Sequence, residues 1–208
     1  IMKRFTKDIL INKGKVFNRN FVNCLSGYKS LNLIGSINTE NAKTNLAPFS
    51  QVFHIGANPA TVGVLFRPHS VERHTLENIL QNGCFTLNHV AENFYKEAHQ
   101  CSARWDQSEF KATGLEEEFL NDFKAPFVKL SPLKIACVLK DKITLAVNET
   151  ILIVASIEEV YVAANAVEED GFIALDKVGS ITVSGLDSYH ATNKLGRLPY
   201  AKPFQKTE

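Results

Sequence analysis

Three short stretches of the chain carry groups able to hold a small molecule. The first is Asn45-Leu46-Ala47-Pro48-Phe49-Ser50. Pro48 has no N–H to donate, so it marks a sheet edge or a break in a strand, where neighbouring backbone groups stay free. A flat ring with polar edges fits against such a segment; the alternative is a plain strand-entry turn capped by Asn45 and Ser50. The second stretch runs Arg67-Pro68-His69-Ser70-Val71-Glu72-Arg73-His74-Thr75. An arginine fork, a hydroxyl, the free N–H groups of a helix start and the His74 imidazole together suit a phosphate. Without a ligand, Thr75 simply caps a helix while Arg67, Glu72 and Arg73 are solvated. The third is Gly185-Leu186-Asp187-Ser188-Tyr189-His190, followed by Arg197-Leu198-Pro199-Tyr200-Ala201-Lys202-Pro203. Pro199 and Pro203 exclude helix and central strand, so the tail from about residue 191 to 208 should run extended over the body. His190 is placed to donate to a ring or a substrate, or else helps Tyr189 anchor that tail.

The elements that must position these groups are mostly strands. Residues 31–38 put Leu31, Leu33, Gly35 and Ile37 on one side, the period of a half-buried strand. Asn38-Thr39-Glu40-Asn41 has turn chemistry, Ala47–Ile55 reads as extended, and Thr61–Phe66 is apolar on both sides as a central strand would be. Leu76, Ile79 and Leu80 then form one stripe of a short helix, with Thr75 placed to cap its start and Gly83 its end. Residues 85–90 alternate again. Residues 92–105 carry Phe94, Ala98 and Cys101 at helical spacing, and the polar, acidic stretch Trp105–Phe123 reads as a helical excursion over the surface. Strands resume at Leu133–Lys140 and Lys142–Val147, with a bend near Asp141, then at Thr150–Val162 and Gly179–Ser184. The expectation is a mainly β, mostly antiparallel barrel with a few short helices, in one domain over residues 1–208.

Composition narrows the function classes. The 208 residues include 23 Lys+Arg and 22 Asp+Glu, a net charge of +1, so the cationic excess of a phosphate-neutralising nucleic-acid binder is missing. With 45% hydrophobic and 22% charged residues the chain is that of an ordinary globular domain, long enough to bury a core without disulfides. Near the N-terminus the apolar cluster is only Ile9-Leu10-Ile11, too short for a secretory signal, and no run approaches a membrane span. A soluble, cytoplasmic protein that binds neither nucleic acid nor membrane is expected. Cys24, Cys84, Cys101 and Cys137 form no Cys-x-x-Cys pair and read as small hydrophobes. Gly-x-Gly-x-x-Gly, the phosphate-loop pattern and Gly-x-Ser-x-Gly are all missing, and His69 and His74 stand five apart, off one helical face. A nucleotide or redox cofactor, if held, is held without a Gly-rich cradle, and no metal site is expected.

In this order the pieces resemble the flavin reductase-like family of FMN-binding split β-barrel proteins, of the flavoredoxin type. The marks are Asn45-x-Ala47-Pro48-Phe49-Ser50, Arg67-Pro68 with His74-Thr75-x-x-Asn78-Ile79, and Ser108-Glu109-Phe110 with Thr113-Gly114-Leu115. Pro126 upstream of Ala136-Cys137 and the tail Gly185-Leu186-Asp187-x-Tyr189-His190 complete the set. The resemblance implies a split barrel and a homodimer with one FMN per subunit near the dimer interface. It implies that Asn45, Leu46, Ala47, Pro48, Phe49 and Ser50 line the isoalloxazine ring through backbone atoms. Arg67, His74 and Thr75 would hold the phosphate, and Ser36 would border the ribityl chain or the ring. His74 departs from the pattern, since such proteins often carry lysine there.

The activity so implied is an FMN-dependent oxidoreductase taking hydride from NADH or NADPH and passing electrons to a small-molecule acceptor. The cofactor carries the difficult chemistry, so no catalytic acid or base is assigned. Backbone amides within 45–50 and His190 are the candidate donors to the ring edge that gains negative charge on reduction. Two other readings compete: an FMN-carrying electron-transfer module with no pyridine-nucleotide activity of its own, and a small β-barrel interaction protein in which these segments are structural.

Overall fold

A computed structural model describes residues 1–203. Two helices open the chain, α1 (Lys7–Asn12) and α2 (Lys15–Cys24), followed by the short β1 (Lys29–Ser30). Four strands come next: β2 (Asn32–Ile37), β3 (Thr44–Phe49), β4 (Val52–Ala57) and β5 (Ala60–Phe66). Helix α3 (His74–Asn82) leads into β6 (Cys84–His89), α4 (Tyr95–Gln100) and α5 (Glu109–Thr113). After the short pair β7 (Glu117–Glu118) and β8 (Phe127–Val128) come the long β9 (Leu133–Thr144) and β10 (Ile151–Val162). Last are β11 (Thr182–Ser184) and β12 (Ser188–His190).

Seven strands form one antiparallel sheet in the order β3-β2-β6-β9-β10-β5-β4. Its two edge strands, β3 and β4, are consecutive in sequence and joined only by Ser50 and Gln51. A link that short forces the edges together, so the sheet must curl on itself, yet β3 and β4 do not pair. The result is a barrel split along one seam. Pro48 lies on β3 opposite Leu33, on an edge where its missing N–H costs the ladder nothing. A three-stranded sheet, β1-β11-β12, is tied to the barrel where the Ile181 amide donates to the Val90 carbonyl.

The curl produces two apolar clusters. One holds Ile34, Val64, Phe66, Leu76, Ile79, Phe85, Leu87 and Ile153, with α3 supplying its stripe. The other holds Leu33, Leu46, Phe94, Ala98, Cys101, Phe110, Leu115, Ile181 and Val183. Strand β2 divides its side chains between them, and this corrects the expectation of a half-buried strand: residues 32–36 are buried on both faces. The polar groups of β2 are tolerated there because they are paired. Asn32 donates to Ser30 Oγ at 3.1 Å, and Ser36 accepts two side-chain amides.

Other departures have local causes. The stretch 105–123 is helical only over Glu109–Thr113, because Gly114 at φ 76° takes the left-handed conformation that ends the helix. The two strands expected around Asp141 are one, β9. The residue Asp141 pairs with Val154 and Leu139 with Ala155, so the bend is a bulge at Lys140 and the reversal comes later, between 144 and 151. The expected extended run 47–55 is broken at the Ser50–Gln51 corner into β3 and β4. Helices α1 and α2 escaped the hydropathy reading because they bury no residue. Thr6, whose hydroxyl accepts from the Ile9 amide at 3.3 Å, was the available signal for the first. Beyond β12, residues 191–203 form no helix or strand, and Arg197 pairs with Glu168 and Asp170 while lying over the Phe172 ring. The part of the expected tail from 204 to 208 lies outside the described residues. Among the described residues no helix is long and apolar enough to cross a membrane.

Candidate functional site: a cleft at the split of the barrel

The seam opens into a cleft of about 460 Å³. One wall is the β3–β4 corner, Ala47, Pro48, Phe49, Ser50 and Gln51, and the other is Leu65, Phe66 and Arg67 at the end of β5. Arg73 and Thr75 from the start of α3 close one end, and Cys101, Ser102 and Leu186 border the other side. Phe49 and Phe66 meet across the seam with ring centroids 4.7 Å apart and their planes tilted by 57°. The cleft therefore joins an apolar wall to two guanidiniums, with the Glu72 carboxylate also on its lining. Arg73 is held in place by a 3.0 Å bond from its Nε to the Pro68 carbonyl, and Arg67 is exposed.

Beneath the α3 end lies an interlocked polar group. The Asn45 side-chain amide donates to Thr75 Oγ1 at 2.9 Å and to Ser36 Oγ at 3.4 Å, and Asn78 donates to the same Ser36 Oγ at 3.2 Å. All four side chains are buried. Thr75 is thus not the cap expected of it. The cap position belongs to Arg73, whose amide donates to Glu77 Oε1 at 3.0 Å, while Thr75 is the second helical residue and its hydroxyl accepts from Asn45. A hydroxyl that accepts from below keeps its own hydrogen to donate upward into the cleft. Burial works to raise the Glu77 carboxyl, but the Arg73 amide and His69, 2.8 Å away, outweigh it and hold that carboxyl below the usual range.

The sequence-derived residues separate into three groups. Ala47, Pro48, Phe49, Ser50, Arg67 and Thr75 meet in the cleft. Ser36 and Asn45 lie behind it as support, and Leu46 is buried in the neighbouring core. His74 and His190 stand apart from it. His74 lines an adjoining polar pocket of about 220 Å³ with Lys43, Asn78, Trp105 and Glu109, its Nε2 3.3 Å from Glu72. His190 packs against Tyr28 and bonds Ser184 Oγ at 2.9 Å.

The backbone of β3 is also more committed than expected. The Leu46 amide points away from β2 and donates to Glu109 Oε2 at 3.0 Å. By the alternation of an antiparallel ladder, the Asn45 and Ala47 amides then face β2. Only the Ser50 backbone and the Gln51 amide, past the last ladder pair at Phe49, lie outside both ladders at this corner, since the Gln51 carbonyl accepts from the Leu65 amide at 2.9 Å.

A second recess of about 300 Å³ continues the cleft past Pro48, Ser50 and Arg67 to Leu31, His99, Ser102, Val183, Leu186 and Tyr189. Sequence reading chose His190 and passed over its neighbour Tyr189. The signal was strand alternation: adjacent residues of β12 face opposite ways, so only one of the two can reach the cleft. His99 and Ser102 gave no comparable signal, since they arrive from α4 only through tertiary packing. Burial pushes the Cys101 thiol up to about 12, which leaves it a poor nucleophile at neutral pH.

A flat ring with a phosphate-bearing tail fits these residues. The size is within the range of small-molecule sites, the corner offers an apolar wall ending at the Ser50 backbone and the Gln51 amide, and two arginines, the Thr75 hydroxyl and the first turn of α3 are the groups that would hold a phosphate.

Comparison with known proteins agrees with that chemistry. Residues 30–181 match the model of the flavin reductase like domain. The chain is 46% identical to a split barrel domain protein from Shewanella frigidimarina NCIMB 400, assigned as a flavin reductase, with a TM-score of 0.92 over 96% of this chain and 100% of that one. At 20% identity it shares the fold of nitrilotriacetate monooxygenase component B from Bacillus cereus, with a TM-score of 0.81 over 95% and 99% of the two chains. Flavoredoxin of Desulfovibrio vulgaris (Miyazaki F) matches at 18% identity and a TM-score of 0.71, over 84% and 92%. No curated protein matches the chain. The chain belongs to the flavin reductase-like family of split-barrel flavoproteins.

Proposed function

We propose that this protein binds FMN in the seam cleft and uses it to carry electrons from NADH or NADPH to a small-molecule acceptor. The observation that carries the reading is the meeting, in one cleft, of the apolar β3–β4 corner with Arg67, Arg73 and Thr75. When bound, FMN supplies the hydride chemistry. The protein's part is placement: the corner supports one face of the ring, Phe49 and Phe66 keep water from it, and the guanidiniums neutralise the phosphate. Because the β3 amides are committed to β2 and Glu109, the corner Ser50–Gln51 takes the place of the strand amides as the donor region for the ring edge.

His74 serves the phosphate from the adjoining pocket rather than from the cleft, and its imidazole is shared with Glu72. The chain acts as a homodimer. In support, α1 and α2 bury nothing within the chain yet present Ile9, Ile11, Val16 and Val22 at the surface, with Leu25 exposed just past the end of α2.

An anaerobic titration tests the reading. FMN added to the purified protein should give a saturable change in its visible spectrum, and either NADH or NADPH should then bleach it within seconds. Saturable binding without bleaching by either nucleotide would mark an FMN-carrying electron-transfer module, and failure to bind FMN would remove the flavin reading.

A further inference from the structure

The start of α3 has two sides. Arg73 and Thr75 line the cleft, while His74, Glu77 and Asn78, spaced i, i+3 and i+4, form one stripe along the polar pocket of about 220 Å³. The other walls of that pocket come from the β2–β3 turn, with Lys43, and from the loop entering α5, with Trp105, Gln107 and Glu109. Glu72 is the one residue that lines both cavities. Two lining side chains, Asn45 and Asn78, are more than nine-tenths buried. Their NH2 groups are spent on Ser36 and Thr75, and among the described residues no group donates to either carbonyl oxygen. The sealed side-chain atom that lacks a partner is Asn18 Oδ1, so both of these oxygens are open to solvent, and the pocket is where they meet it. Glu109 likewise commits Oε2 to the Leu46 amide and keeps its other oxygen.

The pocket carries charges of both signs. Lys43 and His74 share its lining with Glu72, Glu77 and Glu109, so a simple anion meets three carboxylates and a simple cation meets an ammonium. Among the described residues no cluster of acidic, histidine or cysteine side chains is placed to hold a metal ion. A hydroxyl donates and accepts through one atom, so a neutral molecule bearing several hydroxyls satisfies amides, carboxylates and ammonium together. The indole supplies an apolar surface among these polar groups. Trp105 Nε1 donates to the Gln100 carbonyl at 3.0 Å, which leaves ring carbon for the pocket. Aromatic carbon beside a set of polar side chains matches a sugar ring, which is apolar on its C–H face and polar around its edge. The volume lies below the range of drug-sized sites, which suits one ring.

We propose that this pocket binds a single sugar ring, its C–H face on Trp105 and its hydroxyls on Asn45, Asn78, Glu109 and Lys43. The site goes beyond the flavin reading and does not depend on it: apart from Glu72 its groups line no part of the cleft, and binding needs no cofactor.

Trp105 is the only tryptophan of the chain, so the intrinsic fluorescence of the cofactor-free protein reports on this pocket. The probes are D-glucose and D-ribose. At least one should shift the emission saturably in the millimolar range, and saturation-transfer difference NMR should show transfer to the C–H protons of that sugar. Trp105→Leu, followed by NMR because it removes the fluorophore, should weaken binding about tenfold, and Gln107→Leu about threefold. Both side chains are exposed, so the melting temperatures should stay in place and separate lost binding from lost fold. No response to either sugar overturns the proposal. So does a response that rises linearly without saturating, or one that neither substitution weakens, since both mark a general effect of sugar on the protein surface. Displacement of the bound sugar by FMN also overturns it, by assigning the pocket to the flavin. Saturable sugar binding in a protein that fails to take up FMN supports this inference while removing the flavin reading alone.

Discussion

The floor of the cleft and its rim are built on opposite principles. The floor is buried and mutually hydrogen-bonded: Ser36, Asn45, Thr75 and Asn78 come from β2, β3 and α3 and satisfy one another. The rim groups Arg67, Glu72 and Ser102 are exposed. A fully paired buried network stabilises as a unit, because stripping one member leaves its partners desolvated and unpaired. A solvated rim charge gives up little when it is removed from the free protein, but its field acts on a bound anion. Changes to the floor should therefore damage fold and binding together, and changes to the rim should damage binding alone.

The strongest way to break the floor lies just beside it. Gly35 on β2 has room for no side chain: a Cβ there would lie 2.0 Å from the Pro126 carbonyl oxygen and 2.5 Å from Thr86 Oγ1. Gly35→Val should cost more than about 3 kcal/mol, seen as loss of soluble protein or a large fall in the urea midpoint. Next in size is the buried imidazole outside the cleft. Burial pushes His89 down to about 4, while its 3.0 Å bond to Ser180 joins the barrel to the sheet that carries Tyr189. The unfolded chain binds a proton at about pH 6.5 that the folded one refuses until about pH 4, so stability is full above 6.5 and falls as pH drops between those values. The loss by pH 4 is at most about 3 kcal/mol, and melting curves of His89→Gln should show a flatter pH profile across that window. Asn45→Ala removes the donor to Thr75 and Ser36 and should lower stability by about 2 kcal/mol while weakening FMN binding, both measurable on one preparation. The smallest effect on the fold is expected at the rim. Arg67→Ala should leave the melting temperature in place and weaken FMN binding about tenfold.

The sequence carried the fold wherever a local rule was strict. Pro48 announced the sheet edge because a proline has no other place in a sheet, and Leu76, Ile79 and Gly83 announced α3 because its stripe and its left-handed end are both local properties. What was lost came from long-range packing. The burial of Asn32 and Ser36 depends on partners 2 to 42 residues away, so no window along β2 could show that its polar face is covered. Likewise His99 and Tyr189 lie 90 residues apart, and only the docking of α4 against β12 brings them together. His190 attracted attention through its residue type, yet the two-residue period of a strand turns it away from the recess beside the cleft and turns Tyr189 toward it. Arg73 looked solvated in sequence because its tether, the Pro68 carbonyl, is a property of the loop's shape.

The central claim is that the end of the cleft formed by Arg67, Arg73 and the first turn of α3 receives the phosphate of a flavin. The most direct measurement compares the dissociation constants of FMN and riboflavin, which differ only in that phosphate, for the native protein and for Arg67→Ala. The native protein should bind FMN at least tenfold more tightly than riboflavin, and Arg67→Ala should shrink that ratio severalfold without changing riboflavin affinity. Equal affinities for the two flavins, or a ratio untouched by the substitution, would contradict it.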